Sequence, residues 1–369
     1  MKEHKIDLEH RMDSDKLLWH MPRVMQHFDK GERVAPVYLD MGVTKKCNLS
    51  CIYCFGASQH MTGEIIQRDA LLTTFHQAPR LGVKAIGIIG DGEPTLNPHI
   101  YEAMDVGKKG GLDMAFSTNG ILLDDGKMEN ILRNCTWMRF NLSAGTREGY
   151  KRIHRADRWD VVTEHVRRMV ELRDTGGYTC EIGLQSVFVP TEIMTGEVIP
   201  EAQLALDIGV DYFLIKQCSW PEKSWFKHGM VQFDLNLYDE PENQELLQRV
   251  ENMSTERTKI IPKWSLIAQK GERPYDGCPA VPLISEISGN GDWYPCAYMF
   301  SEPKFEEYRF GNLHEKSLQE ILESERYWRI IDMMKTFDVH NDPAGACRLD
   351  KCNEFVDGYL NKPRGVNFV

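Results

Sequence analysis

Over the first two thirds of the chain, short apolar runs rich in β-branched and aromatic residues alternate with longer amphipathic stretches. VYLDMGV at 37–43, AIGIIG at 85–90, LDMAFS at 112–117, WMRFNLS at 137–143, EIGLQSVFV at 181–189 and DYFLIKQC at 211–218 read as buried strands. Between them, IIQRDALLTTFHQA at 65–78 and WDVVTEHVRRMVEL at 159–172 have helical spacing, and Val162, Val166, Met169 and Val170 share one face of the second. Strand and helix in alternation imply right-handed crossovers and a parallel sheet. Six units are too few for a closed eight-stranded barrel, so the expected fold class is α/β, a partial (β/α)6 TIM-like barrel over 37–222. Its chemistry is expected at the C-terminal ends of the strands.

The pattern changes after residue 220. WPEKSWFKHGMVQFDLNLYDEPENQ at 220–244 is aromatic, polar and loop-like, and IIPKWSL at 260–266 reads as a lone strand, so 223–277 is expected to be a linker packed on the barrel. LISEISGNGDWYPC at 283–296 offers two strands around a Gly-Asn-Gly turn. EKSLQEILESERYWRIIDMMK at 315–335 reads as one helix, with Leu318, Ile321, Leu322 and Trp328 to Ile331 in its apolar set. Residues 278–369 therefore form a small α+β unit, and 1–36 a charged N-terminal extension.

Composition narrows the classes of function. A chain of 369 residues with 42% apolar content can bury one large core and a smaller second one. A net charge of −11 with no basic run argues against a nucleic-acid surface. The N-terminus lacks an apolar signal core and no run is long enough to span a membrane, so a cytoplasmic, membrane-free protein is expected. Ten cysteines in such a chain point to metal binding or reactivity rather than to disulfides.

The sharpest motif is KKCNLSCIYC, which places Cys47, Cys51 and Cys54 in the loop after the first strand. A structural zinc site takes four protein ligands, whereas three cysteines can hold an iron-sulfur cube and leave one iron open. A zinc knuckle completed by a distant fourth ligand is the alternative. The next strand runs into IIGDGEPTLNP, where Gly92 permits close backbone approach and Glu93 brings a negative charge; an ordinary strand-to-helix turn is the plainer reading.

KKCNLSCIYC, with Tyr53 before the third cysteine, resembles the cluster signature of the radical S-adenosylmethionine (SAM) enzymes, and GDGEPT resembles their second signature. The resemblance implies that Cys47, Cys51 and Cys54 hold a 4Fe-4S cluster whose open iron chelates SAM. It also implies that the Gly92 backbone and Glu93 hold the methionine amino group. At the third strand end, FSTNG offers Ser117 and Asn119 as cofactor contacts, or simply a turn. NLSAGTREGYKRIHR offers Ser143 and Arg155 for the cofactor carboxylate, but Ala144 stands where many relatives have an acid, so no role resting on that acid carries over. Gln185 is a candidate for the ribose. In such enzymes reductive cleavage of SAM yields a 5'-deoxyadenosyl radical that takes a hydrogen atom from substrate. The electron comes from a flavodoxin or ferredoxin-like donor.

Cys278, Cys296, Cys347 and Cys352 form a second set, which resembles the auxiliary-cluster domains of the SPASM and twitch groups. Four thiolates would close a 4Fe-4S cluster to substrate and favour electron transfer; structural zinc is the alternative. Cys135 and Cys180 read as buried small hydrophobes. Cys218 ends the sixth strand, either packed in the core or serving as hydrogen-atom donor, and one of Lys216, Gln217 and Cys218 is expected to face inward. The implied function is oxidation of a small-molecule substrate such as a sugar, aminocyclitol or nucleoside, with the auxiliary cluster as electron acceptor. The extension before the first strand is short for a peptide-recognition module, which favours a small molecule. Epimerisation through Cys218, peptide modification, and a non-enzymatic iron-sulfur or zinc protein are the competing readings.

Overall fold

The computed structural model describes residues 14–54, 61–218, 234–269, 273–300, 303–340, 347 and 349–362. The expected strands form β1 (Tyr38–Met41), β2 (Ala85–Ile88), β3 (Asp113–Thr118), β4 (Trp137–Asn141), β5 (Glu181–Phe188) and β6 (Tyr212–Gln217). They lie side by side in chain order and all run parallel. Helices cover the sheet; in Trp159–Gly176 the face carrying Val162, Val166, Met169 and Val170 is buried, as the spacing predicts. Cys135 and Cys180 are buried in the same core.

Two segments depart from the sequence reading. The stretch 260–266 is not a lone strand: Lys259–Pro262 (β7) pairs parallel with β6, and Trp264–Gln269 is helical. The helix Pro241–Glu251 supplies the crossover that a parallel partner requires, and Pro262, lacking an N–H, closes the strand. Of the loop expected at 220–244, residues 220–233 lie outside the described residues, and Leu235–Asp239 forms a short 3-10 turn. The helix expected at 315–335 is two, Leu318–Glu323 and Glu325–Met334. Ser317 and Ser324 each cap the helix that follows, and Ser324 breaks the run although the apolar periodicity continues through it.

The C-terminal hairpin forms as expected from β8 (Ile284–Ile287) and β9 (Asp292–Tyr294), turning through Gly291 at φ 87°, a conformation that favours glycine. A short strand, β10 (Gly311–Asn312), pairs antiparallel with β9. β8 also pairs parallel with β1, opposite β2, so the sheet runs β10-β9-β8-β1-β2-β3-β4-β5-β6-β7. The two cysteine-bearing regions thus hang from neighbouring strands of one sheet.

Candidate active site

The cysteine loop leaves β1 along a path fixed by backbone contacts. The Glu93 N–H donates to Lys46 O at 2.8 Å and Thr44 Oγ1 donates to Glu64 O at 2.9 Å. A Cβ on Gly92 would stand 2.2 Å from Thr44 O and 2.6 Å from Lys46 O. Gly92 therefore serves the close approach of this loop to the turn after β2. Cys47 is exposed, Cys51 and Cys54 are half-buried, and Tyr53 is buried.

One cavity gathers most of the expected residues. Cys47, Cys51, Tyr53, Cys54, Gly92, Glu93, Ser117, Asn119 and Gln185 line it, and so do Cys296 and Cys347 from the second set. Glu93 is already engaged. Its Oε1 accepts from Thr95 N at 3.2 Å, Thr95 Oγ1 at 2.7 Å and Thr118 Oγ1 at 2.6 Å, and its Oε2 accepts from Asn119 N at 2.7 Å. Burial raises its pKa, and these donors pull the other way. Asn119 forms the turn, its Oδ1 accepting from Ile121 N, and its Nδ2 donates to Asn48 Oδ1 in the cysteine loop at 2.6 Å. Ser117 Oγ accepts from Arg139 Nε at 3.2 Å and Asn141 Nδ2 at 3.1 Å, and Gln185 Nε2 donates to Asn141 Oδ1 at 2.6 Å.

Ser143, Arg155 and Cys218, like Cys278 and Cys352 of the second set, do not line the cavity. Ser143, at φ 48°, sits behind the cavity wall, donating to Tyr53 OH at 2.9 Å and accepting from Val187 N at 3.0 Å, so it positions the aromatic ring. Arg155 is exposed at the left-handed end of the helix Arg147–His154 and does not line the cavity. Cys218 is buried beneath the cysteine loop, its Sγ 3.7 Å from Tyr53 O, and does not line the cavity either. Of the three alternating residues there, Lys216 faces inward.

Within the second set, Cys278, Cys296 and Cys347 lie close enough for their charges to act on one another, and Cys352 packs against the apolar cluster that includes Ala280, Leu283 and Val356. The sequence reading did not single out Arg139, Asn141, His154 or Glu286, which also line the cavity. His154 is buried, with Nδ1 3.0 Å from Cys51 Sγ and Nε2 against Leu142 O.

The donor set suits iron-sulfur ligation. Burial and the neighbouring Cys54 and Cys47 charges push the Cys51 thiol well above its ordinary value, so adjacent thiolates here require a cation such as iron. Gln185 Oε1 is buried on the cavity wall without a hydrogen-bond partner, an acceptor left for a ligand hydroxyl or amine.

A parallel sheet whose first loop presents three thiols, with further thiols lining the same cavity, is an arrangement in keeping with an iron-sulfur enzyme. Residues 41–183 match the radical SAM superfamily and residues 278–353 match the iron-sulfur cluster-binding SPASM domain, so the chain carries a radical SAM domain followed by a C-terminal SPASM domain. Its cofactors are accordingly SAM with a 4Fe-4S cluster, together with auxiliary iron-sulfur ligation. The tungsten-containing aldehyde ferredoxin oxidoreductase cofactor-modifying protein of Pyrococcus furiosus is 27% identical over 349 residues, covering 88% of this chain and 92% of that one. A probable GTP 3',8-cyclase of Archaeoglobus fulgidus is 30% identical over 158 residues, 43% of this chain and 49% of its own, so the chain matches about half of that relative. SuiB of Streptococcus suis bound to S-adenosylmethionine shares the fold at a TM-score of 0.64 and 16% identity, over 96% of this chain and 80% of that one. No helix among the described residues is long and apolar enough to cross a membrane.

Proposed function

We propose that this protein is a radical SAM oxidoreductase that oxidises a small organic molecule and passes the released electron to the C-terminal cluster. The observation that carries this reading is the shared cavity: Cys47, Cys51 and Cys54 line one part of it and Cys296 and Cys347 another, so a molecule bound between them lies within reach of both centres. Bound SAM and the reduced cluster supply the hydrogen-abstracting radical.

The chain's own residues bind, orient and enclose. Cys47, Cys51 and Cys54 ligate the first cluster, and Cys278, Cys296, Cys347 and Cys352 the second. The Gly92–Glu93 turn, Ser117 and Asn119 hold the cofactor, with Gln185 Oε1 accepting from a ribose hydroxyl. Arg139, Lys216 and Glu286 remain on the wall as charged groups to orient the substrate. Ser143 supports Tyr53 from behind and leaves the cofactor carboxylate to other groups. Cys218, packed under Tyr53, gives no support to epimerisation. A substrate of cofactor size is favoured by the Pyrococcus furiosus relative, named as a cofactor-modifying protein and matched over nearly its whole length. Electrons for SAM cleavage come from a flavodoxin or ferredoxin-like donor in a cytoplasmic setting.

The test is iron, sulfide and zinc content after anaerobic purification, for wild type and for a variant with Cys47, Cys51 and Cys54 changed to Ala. About eight irons in the wild type and about four in the variant are expected. Formation of 5'-deoxyadenosine from SAM under reducing conditions should vanish in the variant. Zinc accompanying a single cluster would remove the electron acceptor and with it the oxidoreductase reading.

A further inference from the structure

The helix Arg147–His154 and the turn after it carry charge of the opposite sign to the chain as a whole. Arg147, Lys151, Arg152, Arg155 and Arg158 are all exposed, against Glu148 and Asp157 as the carboxylates of 147–158, in a protein of net charge −11. Arg147 is set against Asp157 at 3.0 Å and Asp160 at 2.9 Å, and Arg152 lies 4.0 Å from the buried Glu197. Lys151, Arg155 and Arg158 give the exposed edge of this segment its positive charge. The same segment leads inward to the cysteine loop. The ring of Trp159, half-buried beside Arg158, lies 6.0 Å from that of Tyr150, which lies 4.4 Å from the His154 ring. His154 Nδ1 is 3.0 Å from Cys51 Sγ, and Ile52 N donates to Ile153 O at 3.0 Å. Tyr150 and His154 are buried, so the row runs through packed protein from the surface to one of the three thiols of the loop. The exposed Cys47 offers another approach, but it lines the cavity, and a protein docked there would cover the opening that SAM and substrate need.

We propose that this face docks an acidic one-electron carrier protein, which passes its electron to the N-terminal cluster through the row Trp159, Tyr150, His154. The carrier is oxidised by one electron and the cluster reduced by one; the rings are the medium through which the electron tunnels and change oxidation state at no point. Charge complementarity selects the partner. A positive face on a negatively charged chain attracts an acidic surface locally while the rest of the molecule repels it, which fixes where the carrier sits. The inference rests on the reading that a flavodoxin or ferredoxin-like carrier feeds this enzyme.

The experiment uses the anaerobic full chain with its clusters and a flavodoxin of net negative charge as probe. Calorimetry with the oxidised flavodoxin measures complex formation, and stopped-flow absorbance with the photoreduced form follows reduction of the cluster. In the double variant Lys151→Glu, Arg158→Glu, affinity and second-order reduction rate at low ionic strength should fall about tenfold or more, and the gap should narrow as salt rises. Dithionite, a small reductant, should reduce this variant at the parental rate. Lys108→Glu with Lys109→Glu makes the same change in net charge at the end of the helix before β3, away from the cysteine loop, and should match the parent. Trp159→Leu should keep the affinity and slow reduction within the complex. Parental affinity and rate in the Lys151, Arg158 variant overturn the docking face, as does an equal loss in the Lys108, Lys109 variant, which would mark a general effect of net charge. An unchanged rate within the complex in Trp159→Leu overturns the aromatic route. A parent protein that dithionite reduces and flavodoxin does not refutes the carrier reading itself.

Discussion

Replacing Asp91 by Ala tests the seam that joins the turn after β2 to the C-terminal hairpin. The carboxylate is 6% exposed and accepts from Ser288 Oγ at 2.7 Å and from Gly289 N at 2.9 Å. Lys45 Nζ, on an equally buried side chain, lies 4.0 Å away. Burial raises the Asp91 pKa, and the Ser288 bond and the Lys45 charge oppose it. Truncation strips an acceptor from two buried donors, at ~1–3 kcal/mol each, and removes the carboxylate from a buried ammonium, at ~3–5 kcal/mol for a broken pair. These costs overlap, because each counts part of the same desolvation, so the expected loss is about 4 kcal/mol rather than their sum. That is a large share of the ~5–15 kcal/mol that stabilises a typical fold. Asp91→Asn keeps an oxygen for one donor and should lose about half as much. The assay is urea denaturation of anaerobically prepared protein followed by tryptophan fluorescence, with hydrogen exchange at the Gly289 amide as a local reporter. A loss under about 1 kcal/mol in Asp91→Ala, with Gly289 still protected, would show that backbone packing alone holds the seam and would refute the reasoning.

Gly92→Ala places a Cβ 2.2 Å from Thr44 O, so the cysteine loop must move; iron at the N-terminal site should fall sharply while the C-terminal iron stays. Iron analysis and EPR check this, and full occupancy of both sites would contradict it. Glu201 is fully buried, and desolvation raises its pKa well above the ordinary carboxylate value. The folded chain therefore holds that proton more tightly, and the stability it contributes is complete below the unfolded pKa and lost as pH rises through the folded one. Glu201→Gln should match the wild type near pH 4 and exceed it at pH 8, so stability curves that stay parallel across this range would sink the idea.

The six barrel strands were legible because parallel strands buried on both faces read as continuous apolar runs. The cysteine loop was legible because its ligands lie close together in sequence. β7 was legible as a strand but not as a member of the sheet, since KIIP is four residues long and ends in proline. Nor was the β1–β8 pairing: Tyr38 meets Ile284 in register, and a parallel contact between such distant segments leaves no mark on local periodicity. In the site, Arg139, Lys216 and Glu286 are single charged residues within apolar strands, and only their register shows that they open on the cavity. Ser143 was expected at the cofactor, but its positive φ turns the side chain toward Tyr53 and Val187.

The pairing of β8 with β1 also decides how the chain tolerates being cut. A fragment ending before residue 284 would bare the backbone donors and acceptors along Tyr38–Met41, an unpaired flank beside the loop that must fold around iron. Exposed flanks of this kind recruit strands from other molecules. The barrel expressed without its C-terminal portion should therefore self-associate through β1, and the part that looks removable in sequence serves as the chaperoning partner of the first strand.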